Sequence, residues 1–301
     1  MSRSRTSFQR RNLLFALWVL FAASASAPVM AQVDFSGSWN QSLQEDWAER
    51  GDVAIGDYLN LPINEAARLR GDTWNAEQWT MVEHQCHEHP VDYAPRGPSR
   101  LRVTAEVDPI TQGVRAWHTV LSYMLPHRTI YMDGRPHPPE WAPHTWQGFS
   151  TGEWEGDNLK ITTTHLKEGY FRRNGIARSE KATMTEYLIR NHNTLTLLAV
   201  IEDPVYLTEP FVITSDWVFD PGLQLAPNFC IYSVEIEHPR GWVAYNLPGK
   251  NRWLNEYSEK VGVPMEAIRG GAATMYPEYQ KTLATLPLPP RPRSGEPEKA
   301  K

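Results

Sequence analysis

Residues 144–166, HTWQGFSTGEWEGDNLKITTTHL, constrain the fold more than any other stretch, because they have the pattern of one β-hairpin. Two runs rich in Thr, Trp, Phe and Ile flank Gly156-Asp157, and glycine at the first central position suits a two-residue type II′ turn. That turn places Glu153 opposite Lys160, where a cross-strand ion pair supports the register. The sequence therefore predicts a hairpin with a defined register.

The two faces of this hairpin differ in character, since successive side chains of a strand point to opposite sides. The face predicted to be in water carries Glu153, Thr151, Lys160, Thr162 and Thr164. The face predicted to be inside carries Trp154, Leu159 and Ile161 near the turn, and then Ser150, Thr163, Gly148 and His165. Small and polar residues leave room where packing favours Val or Leu, so this inner face predicts a site.

Further strand patterns follow the same alternation. They cover residues 101–107, 114–125, 128–132, 210–220 and 231–236. Residues 182–190 and 195–202 form a second predicted hairpin around His192-Asn193, and a basic loop over residues 169–178 separates the two hairpins. One face of the second hairpin collects Met184, Leu188, Leu197, Ala199 and Ile201, with Glu186 among them.

Helical patterns are confined to the ends of the chain, at residues 61–70, 75–84 and 253–261. Many antiparallel strands with short hairpins predict a mainly β fold, an antiparallel meander closing into a lipocalin- or calycin-like barrel or a curved sandwich. Short N- and C-terminal helices complete the predicted fold. The lipocalin comparison is an analogy of architecture, in which a barrel encloses one small ligand.

Three segments divide the chain. Residues 1–31 are expected to be a signal peptide of the Sec or twin-arginine type, with arginines before an apolar run and a small-x-small ending at Val29-Met30-Ala31. Residues 32–285 are expected to form a single β-rich domain with peripheral helices, followed by a disordered Pro-rich tail over residues 286–301. This organisation predicts a periplasmic or secreted protein.

Two cysteines, Cys86 and Cys230, are expected to form a disulfide in that oxidising compartment. The cluster of His84, Cys86, His87 and His89 has residue types that ligate zinc or copper. Its spacing is unfamiliar, however, and Cys86 is better used in the disulfide, so no metal site is assigned. No nucleotide or phosphate motif is present, no cofactor is expected, and the net charge of −5 argues against nucleic acid as a partner.

The long hairpin, together with TIYMDGRPHP before it and EDPVYLTEPF after it, resembles a family of secreted bacterial proteins. That family pairs a DGRPHP-type segment with a GxWEGDxL hairpin and a later Asp-Pro turn. The resemblance covers residues 34–220. It implies an exported β-rich fold and carries over no catalytic residue.

His165 and Glu186 are the candidate catalytic residues. A histidine beside Thr163 and Ser150 on an inner face suits general acid/base chemistry, and the alternative is a core histidine bonded to threonine and backbone groups. A carboxylate among apolar residues has a raised pKa and can exchange protons. Alternatively, Glu186 forms a buried ion pair with an arginine, or a register error leaves it in water; the arginines considered are Arg172, Arg173 and Arg178. The candidate ligand-binding residues are His118, His144, Trp146, Ser150 and Thr163.

Three functions compete. The first is an exported cofactor-independent acid/base enzyme (a lyase, hydratase, isomerase or hydrolase) acting on a small apolar or aromatic molecule. The second is a non-catalytic binding protein for a small hydrophobic or aromatic molecule, and the third is a structural or interaction protein of the envelope. A predicted histidine and glutamate on inner faces favour the first, because a passive apolar carrier needs neither.

Overall fold

A computed structural model describes residues 33–42, 53–58, 61–97, 99–225, 230–233 and 236–289. The predicted signal peptide and residues 290–301 of the predicted tail lie outside these ranges. The strands are β1 (Gly37–Gln41), β2 (Leu101–Val107), β3 (Val114–Leu121), β4 (His127–Tyr131), β5 (Phe149–Glu155), β6 (Asn158–Thr164), β7 (Gly169–Arg172), β8 (Ile176–Arg178), β9 (Thr183–Asn191), β10 (Thr194–Glu202) and β11 (Phe211–Phe219).

Nine of these strands close into a barrel in the order β1-β11-β10-β9-β6-β5-β4-β3-β2. The predicted mainly β barrel is therefore confirmed. One pair departs from an antiparallel meander, because β4 and β5 are parallel. A parallel neighbour requires the chain to cross back along the barrel, and residues 132–148, which contain the DGRPHPP segment, make this connection.

Both predicted hairpin registers are confirmed. Glu153 pairs with Lys160 across β5 and β6, and their charged groups lie 3.0 Å apart. Gly156 has φ 62° in the turn, the conformation for which glycine is suited. In the second hairpin Ala199 pairs with Glu186, and the predicted apolar face is buried.

Two predictions of local structure are wrong, one of a loop and one of a strand. Residues 169–178, expected as a loop, form the two-stranded sheet of β7 and β8 outside the barrel. Residues 231–233 and 236, expected within a strand, have no regular structure. The apolar run there does not decide between strand and extended loop, because that choice depends on a neighbouring strand edge.

The helices are short and peripheral: α1 (Glu65–Thr73), α2 (Glu256–Val261), α3 (Met265–Ile268) and α4 (Tyr279–Leu283). Helix α1 begins later than predicted, because Ile63 forms a β-bridge with Leu207 and Asn64 caps the helix by accepting from the Ala67 amide. Two 3₁₀ turns, Ala76–Thr80 and Val82–His84, replace the predicted second helix. Asn75 caps the first of them, accepting from the Glu77 amide.

The disulfide between Cys86 and Cys230 is confirmed, and it joins residues 144 positions apart. It ties the segment after the last barrel strand to the 3₁₀ turns that precede β2. Within the described ranges, every helix is too short or too polar to cross a lipid bilayer.

Candidate functional site

The polar inner face of the barrel is organised by Arg128 on β4. Its Nε donates to Ser150 Oγ at 2.9 Å, and its Nη2 donates to Thr163 Oγ1 at 2.6 Å. Its Nη1 donates to Glu186 Oε1 at 2.9 Å, while Nη2 also reaches Glu186 Oε2. The Glu186 side chain is 0% exposed and that of Arg128 is 9% exposed. This is a buried bidentate ion pair with two hydroxyl groups completing it.

Of the three situations considered for Glu186, the structure shows the buried ion pair. The expected arginines were wrong, because Arg178 pairs with Asp92 and Arg172 lies by Asp57. Arg128 supplies the charge because it lies two positions from the buried Ile130 and so shares its inner face.

The space beside this pair is a cavity of about 50 Å³, bounded mainly by apolar side chains including Ile130, Ile161 and Trp217. Such a volume admits a few water molecules but is far below the size of ligand pockets. Ser150 and Thr163 therefore complete an internal network, and the cavity beside it is too small for an aromatic substrate.

The expected position of His165 on the inner face is wrong. The residue follows the end of β6 with φ 57°, so the strand alternation does not extend to it. Its Nδ1 bonds the hydroxyl of Thr164, which is on the opposite face, and its Nε2 bonds the carbonyl of Pro139 at 3.0 Å. The space expected beside Gly148 is also filled, since an added Cβ at this position would meet the Thr164 carbonyl at 2.6 Å.

The other candidate histidines also lie outside the barrel cavity. His118 bonds Thr129 and Glu106 on the outer face and its side chain is 40% exposed. His144 is half-buried at the rim, where its Nδ1 bonds the carbonyl of Leu166 at 2.9 Å. The structure therefore does not bring His118, His165 and Glu186 into one cavity.

A much larger cleft, of about 550 Å³, lies outside the barrel. The 3₁₀ turns, β7 and β8, and the disulfide form its walls. Its aromatic and polar lining includes Trp74, Trp79, Trp146, Tyr170, Tyr123, His89, Arg70 and Arg173, together with Cys86 and Cys230. Trp146 is the one predicted ligand-binding residue that lines it.

Indole rings dominate one wall of the cleft. Trp79 contacts Tyr170 edge-on, with ring centroids 5.3 Å apart, and lies 6.2 Å from Trp74. The guanidinium of Arg173 lies 4.4 Å from the centroid of Trp79, a cation–π arrangement. Rigid aromatic walls of this kind suit a planar ligand.

His89 is a buried titratable group of the cleft, at 7% exposure. Its Nδ1 is hydrogen-bonded to the hydroxyl of Tyr170 at 2.7 Å, and its ring stacks on Tyr123. Burial lowers the pKa of His89 to about 4, and the positive charge of Arg173 contributes to this. Burial also raises the pKa of Tyr170 above its usual range. Both side chains are therefore neutral at neutral pH.

The metal hypothesis for residues 84–89 gains no support. Among the residues that the structure describes, no cluster of three or more His, Cys, Asp or Glu side chains has a geometry for a metal ion. Cys86 is in the disulfide, and His89 Nδ1 is bonded to Tyr170.

The sequence alone did not assign Trp79, His89, Tyr170 or Arg173 to a ligand site, although these residues line the cleft. They come from segments far apart in sequence, so no local motif unites them. One feature of the sequence points to this region. Because Cys86 is predicted to pair with Cys230, the histidine-rich segment at residues 84–89 is expected to be held in a defined loop.

A scan of the sequence against models of protein families finds no match, and a search among curated proteins finds none either. The function is therefore inferred from the residues of the site.

Proposed function

We propose that this protein is an exported binding protein for a small aromatic molecule, which it holds in the cleft outside the barrel. The observation that carries the proposal is the cleft of about 550 Å³, in which an indole wall lies beside charged and polar side chains. Its volume is in the range of small-molecule sites, and its aromatic rings can hold a planar ligand while the polar groups orient it. The disulfide supports an oxidising compartment, periplasmic or extracellular.

Binding is favoured over acid/base catalysis by the protonation states of His89 and Tyr170 in the cleft. A general acid or base works best with a pKa near the operating pH. The pKa of His89 is lowered to about 4 and that of Tyr170 is raised, so neither is poised to exchange a proton near pH 7. Glu186, the other candidate, is held by Arg128 inside the barrel.

The test is calorimetric titration of the mature protein with 2-naphthamide, a neutral planar probe. We expect binding, and we expect Trp79→Ala to weaken it about tenfold, the free energy of one aromatic contact. Trp79→Phe keeps a ring and is expected to retain most of the affinity, which separates lost stacking from lost folding.

Trp141→Ala is the matched control, because Trp141 is 85% exposed and is not part of the cleft lining. Its affinity is expected to stay within about twofold of that of the unmodified protein, since it loses no ring contact in the cleft. Absence of binding, or an equal loss in Trp79→Ala and Trp141→Ala, would overturn the proposal. Mass spectrometry of the probe after incubation tests the alternative, since chemical conversion would favour the enzyme.

A further inference from the structure

Some arginines that line the cleft are paired with a carboxylate, and one is not paired with any in the described part of the chain. Arg70 is ion-paired with Glu168, and Arg172 lies 3.8 Å from Asp57. Arg173 has no carboxylate partner among the described residues, and its Nε is buried with no hydrogen-bond acceptor in that part of the chain. The cleft therefore contains one guanidinium whose charge the described residues leave uncompensated.

The position of this guanidinium is fixed by neighbouring groups. Its Cζ lies over the indole ring of Trp79, whose Nε1 donates to the carbonyl of Arg173 at 3.4 Å. An arginine stacked on an aromatic face keeps its N–H edge available for a planar anion. A buried donor without an acceptor is costly, so an acceptor supplied by a ligand would be favourable.

His89 offers a second unused group in the same cleft. Its Nε2 is buried and has no partner among the described residues. When the hydroxyl of Tyr170 donates to Nδ1, the ring proton is on Nε2, which is then a hydrogen-bond donor. His89 and Arg173 are linked by two packed rings, since His89 bonds Tyr170 and the ring of Tyr170 lies 5.3 Å from that of Trp79, over which Arg173 lies.

We infer that the cleft takes an aromatic carboxylate, whose ring lies among the indoles and whose carboxylate binds the guanidinium of Arg173 with His89 Nε2 as a second donor. This inference rests on the proposed function and specifies its ligand class. A carboxylate fits better than a cation or a neutral molecule, because it compensates the charge of Arg173 and can accept two parallel N–H bonds.

The test compares 2-naphthoate with 2-naphthamide, which have the same ring and nearly the same shape, by calorimetry at pH 7. The unmodified protein is expected to bind 2-naphthoate about ten- to a hundredfold more tightly, the range of one charge-assisted contact. Arg173→Gln is expected to reduce this preference to about twofold or less. Arg173→Lys keeps the charge without the planar fork and is expected to retain part of the preference.

Arg252→Gln is the matched control, since Arg252 lies 4.2 Å from the ring centroid of Trp253 in a similar cation–π arrangement but is exposed and is not part of the cleft lining. It is expected to leave the preference for 2-naphthoate unchanged. If Arg252→Gln removes the preference as completely as Arg173→Gln does, the net charge of the protein explains the preference and the inference is overturned.

Proton NMR of the His89 ring gives an independent measure. Bound 2-naphthoate is expected to raise the pKa of His89 from about 4, because a nearby anion stabilises the protonated ring. Bound 2-naphthamide is expected to leave that pKa unchanged. Equal affinity for both probes overturns the inference and leaves the proposed function standing, whereas binding of neither overturns the proposed function as well.

Discussion

Arg128 and Glu186 make the barrel interior dependent on one pair of charges. Glu186→Gln leaves the guanidinium of Arg128 buried without its counter-charge, which typically costs about 3–5 kcal/mol. We expect that loss in the free energy of unfolding measured by urea denaturation. The double variant Arg128→Met/Glu186→Leu removes both charges and is expected to recover most of it, because apolar residues replace a buried pair well.

Glu153→Gln is the control for this prediction, because the carboxylate of Glu153 is in an exposed pair with Lys160. Solvent screens such a pair, so little change in stability is expected. A similar loss in Glu153→Gln and Glu186→Gln would contradict the importance of burial.

His89 is expected to make stability depend on pH. Its pKa is about 4 in the folded protein and near 6.5 when unfolded, so the unfolded state binds more protons between these values. Neutral His89 therefore contributes about 3 kcal/mol to the free energy of unfolding above pH 6.5, and this contribution is lost as the pH falls towards 4. Urea unfolding at several pH values between 4 and 7 measures it.

His89→Gln is expected to flatten this pH dependence, because glutamine does not titrate. His192→Asn is the control, since His192 is exposed in the turn between β9 and β10, and asparagine tolerates its φ of 55°. If the free energy of unfolding of His89→Gln still falls with pH as steeply as that of the unmodified protein, other groups cause the loss of stability in acid.

At the scale of elements, the entry to β5 depends on Gly148. This residue has φ 65°, and an added Cβ would meet the Thr164 carbonyl at 2.6 Å and Leu166 Cδ2 at 2.8 Å. Gly148→Ala therefore combines backbone strain with crowding, and we expect a loss of about 1–3 kcal/mol or more in the free energy of unfolding. Thermal and urea denaturation measure it.

Gly156→Ala separates the two causes. Gly156 has nearly the same φ, 62°, but nothing lies within 4 Å of an added Cβ. Its loss is expected to be smaller, since only backbone strain contributes. Equal losses at both positions would mean that crowding at Gly148 is relieved by movement of its neighbours.

The connection between β4 and β5 is held against the barrel by His137 of the DGRPHPP segment. His137 uses both ring nitrogens, bonding Thr164 at 2.7 Å and Thr151 at 2.8 Å. Both threonines are on the predicted outer face of the hairpin. The DGRPHPP segment is therefore attached to the outside of the barrel, which allows β4 and β5 to lie parallel.

At the scale of the whole molecule, the disulfide links the cleft to stability. It closes a loop of 144 residues, which the chain-entropy model values at about 5 kcal/mol, an upper estimate. Cys86→Ser/Cys230→Ser is expected to lose several kcal/mol in the free energy of unfolding and to bind 2-naphthamide more weakly, because both cysteines line the cleft.

The far-UV circular dichroism of this double variant is expected to stay native-like, since all nine barrel strands lie before Cys230. A reductant is expected to destabilise the unmodified protein and to leave the variant unaffected. Equal stability of the two proteins would contradict a structural role of the disulfide.

Much of the fold was predictable from local patterns. The registers of both hairpins follow from two-residue turns and alternation, and the disulfide follows from two cysteines in an exported chain. Strand β2 has its predicted bounds, Leu101–Val107, because a clean alternation ends at Asp108-Pro109. The start of α1 was displaced, because the bridge of Ile63 to Leu207 is a long-range contact.

The candidate site was predictable only in part. Trp146 and the burial of Glu186 follow from the hairpins, whereas Arg128 as the partner of Glu186 depends on the parallel pairing of β4 and β5. His165 was misplaced because one residue with φ 57° ends the alternation on which its prediction relied.

The sequence by itself determined the β-rich class, the two hairpin registers and the disulfide, because turn geometry and the period-two alternation are local properties of the chain. Only the tertiary structure decided that the polar inner face is an internal ion-pair network and that the large cleft lies outside the barrel. Those two results depend on contacts between β4, β6 and β9 and between the 3₁₀ turns and β7. Such contacts join residues distant in sequence, and packing of the whole chain selects them.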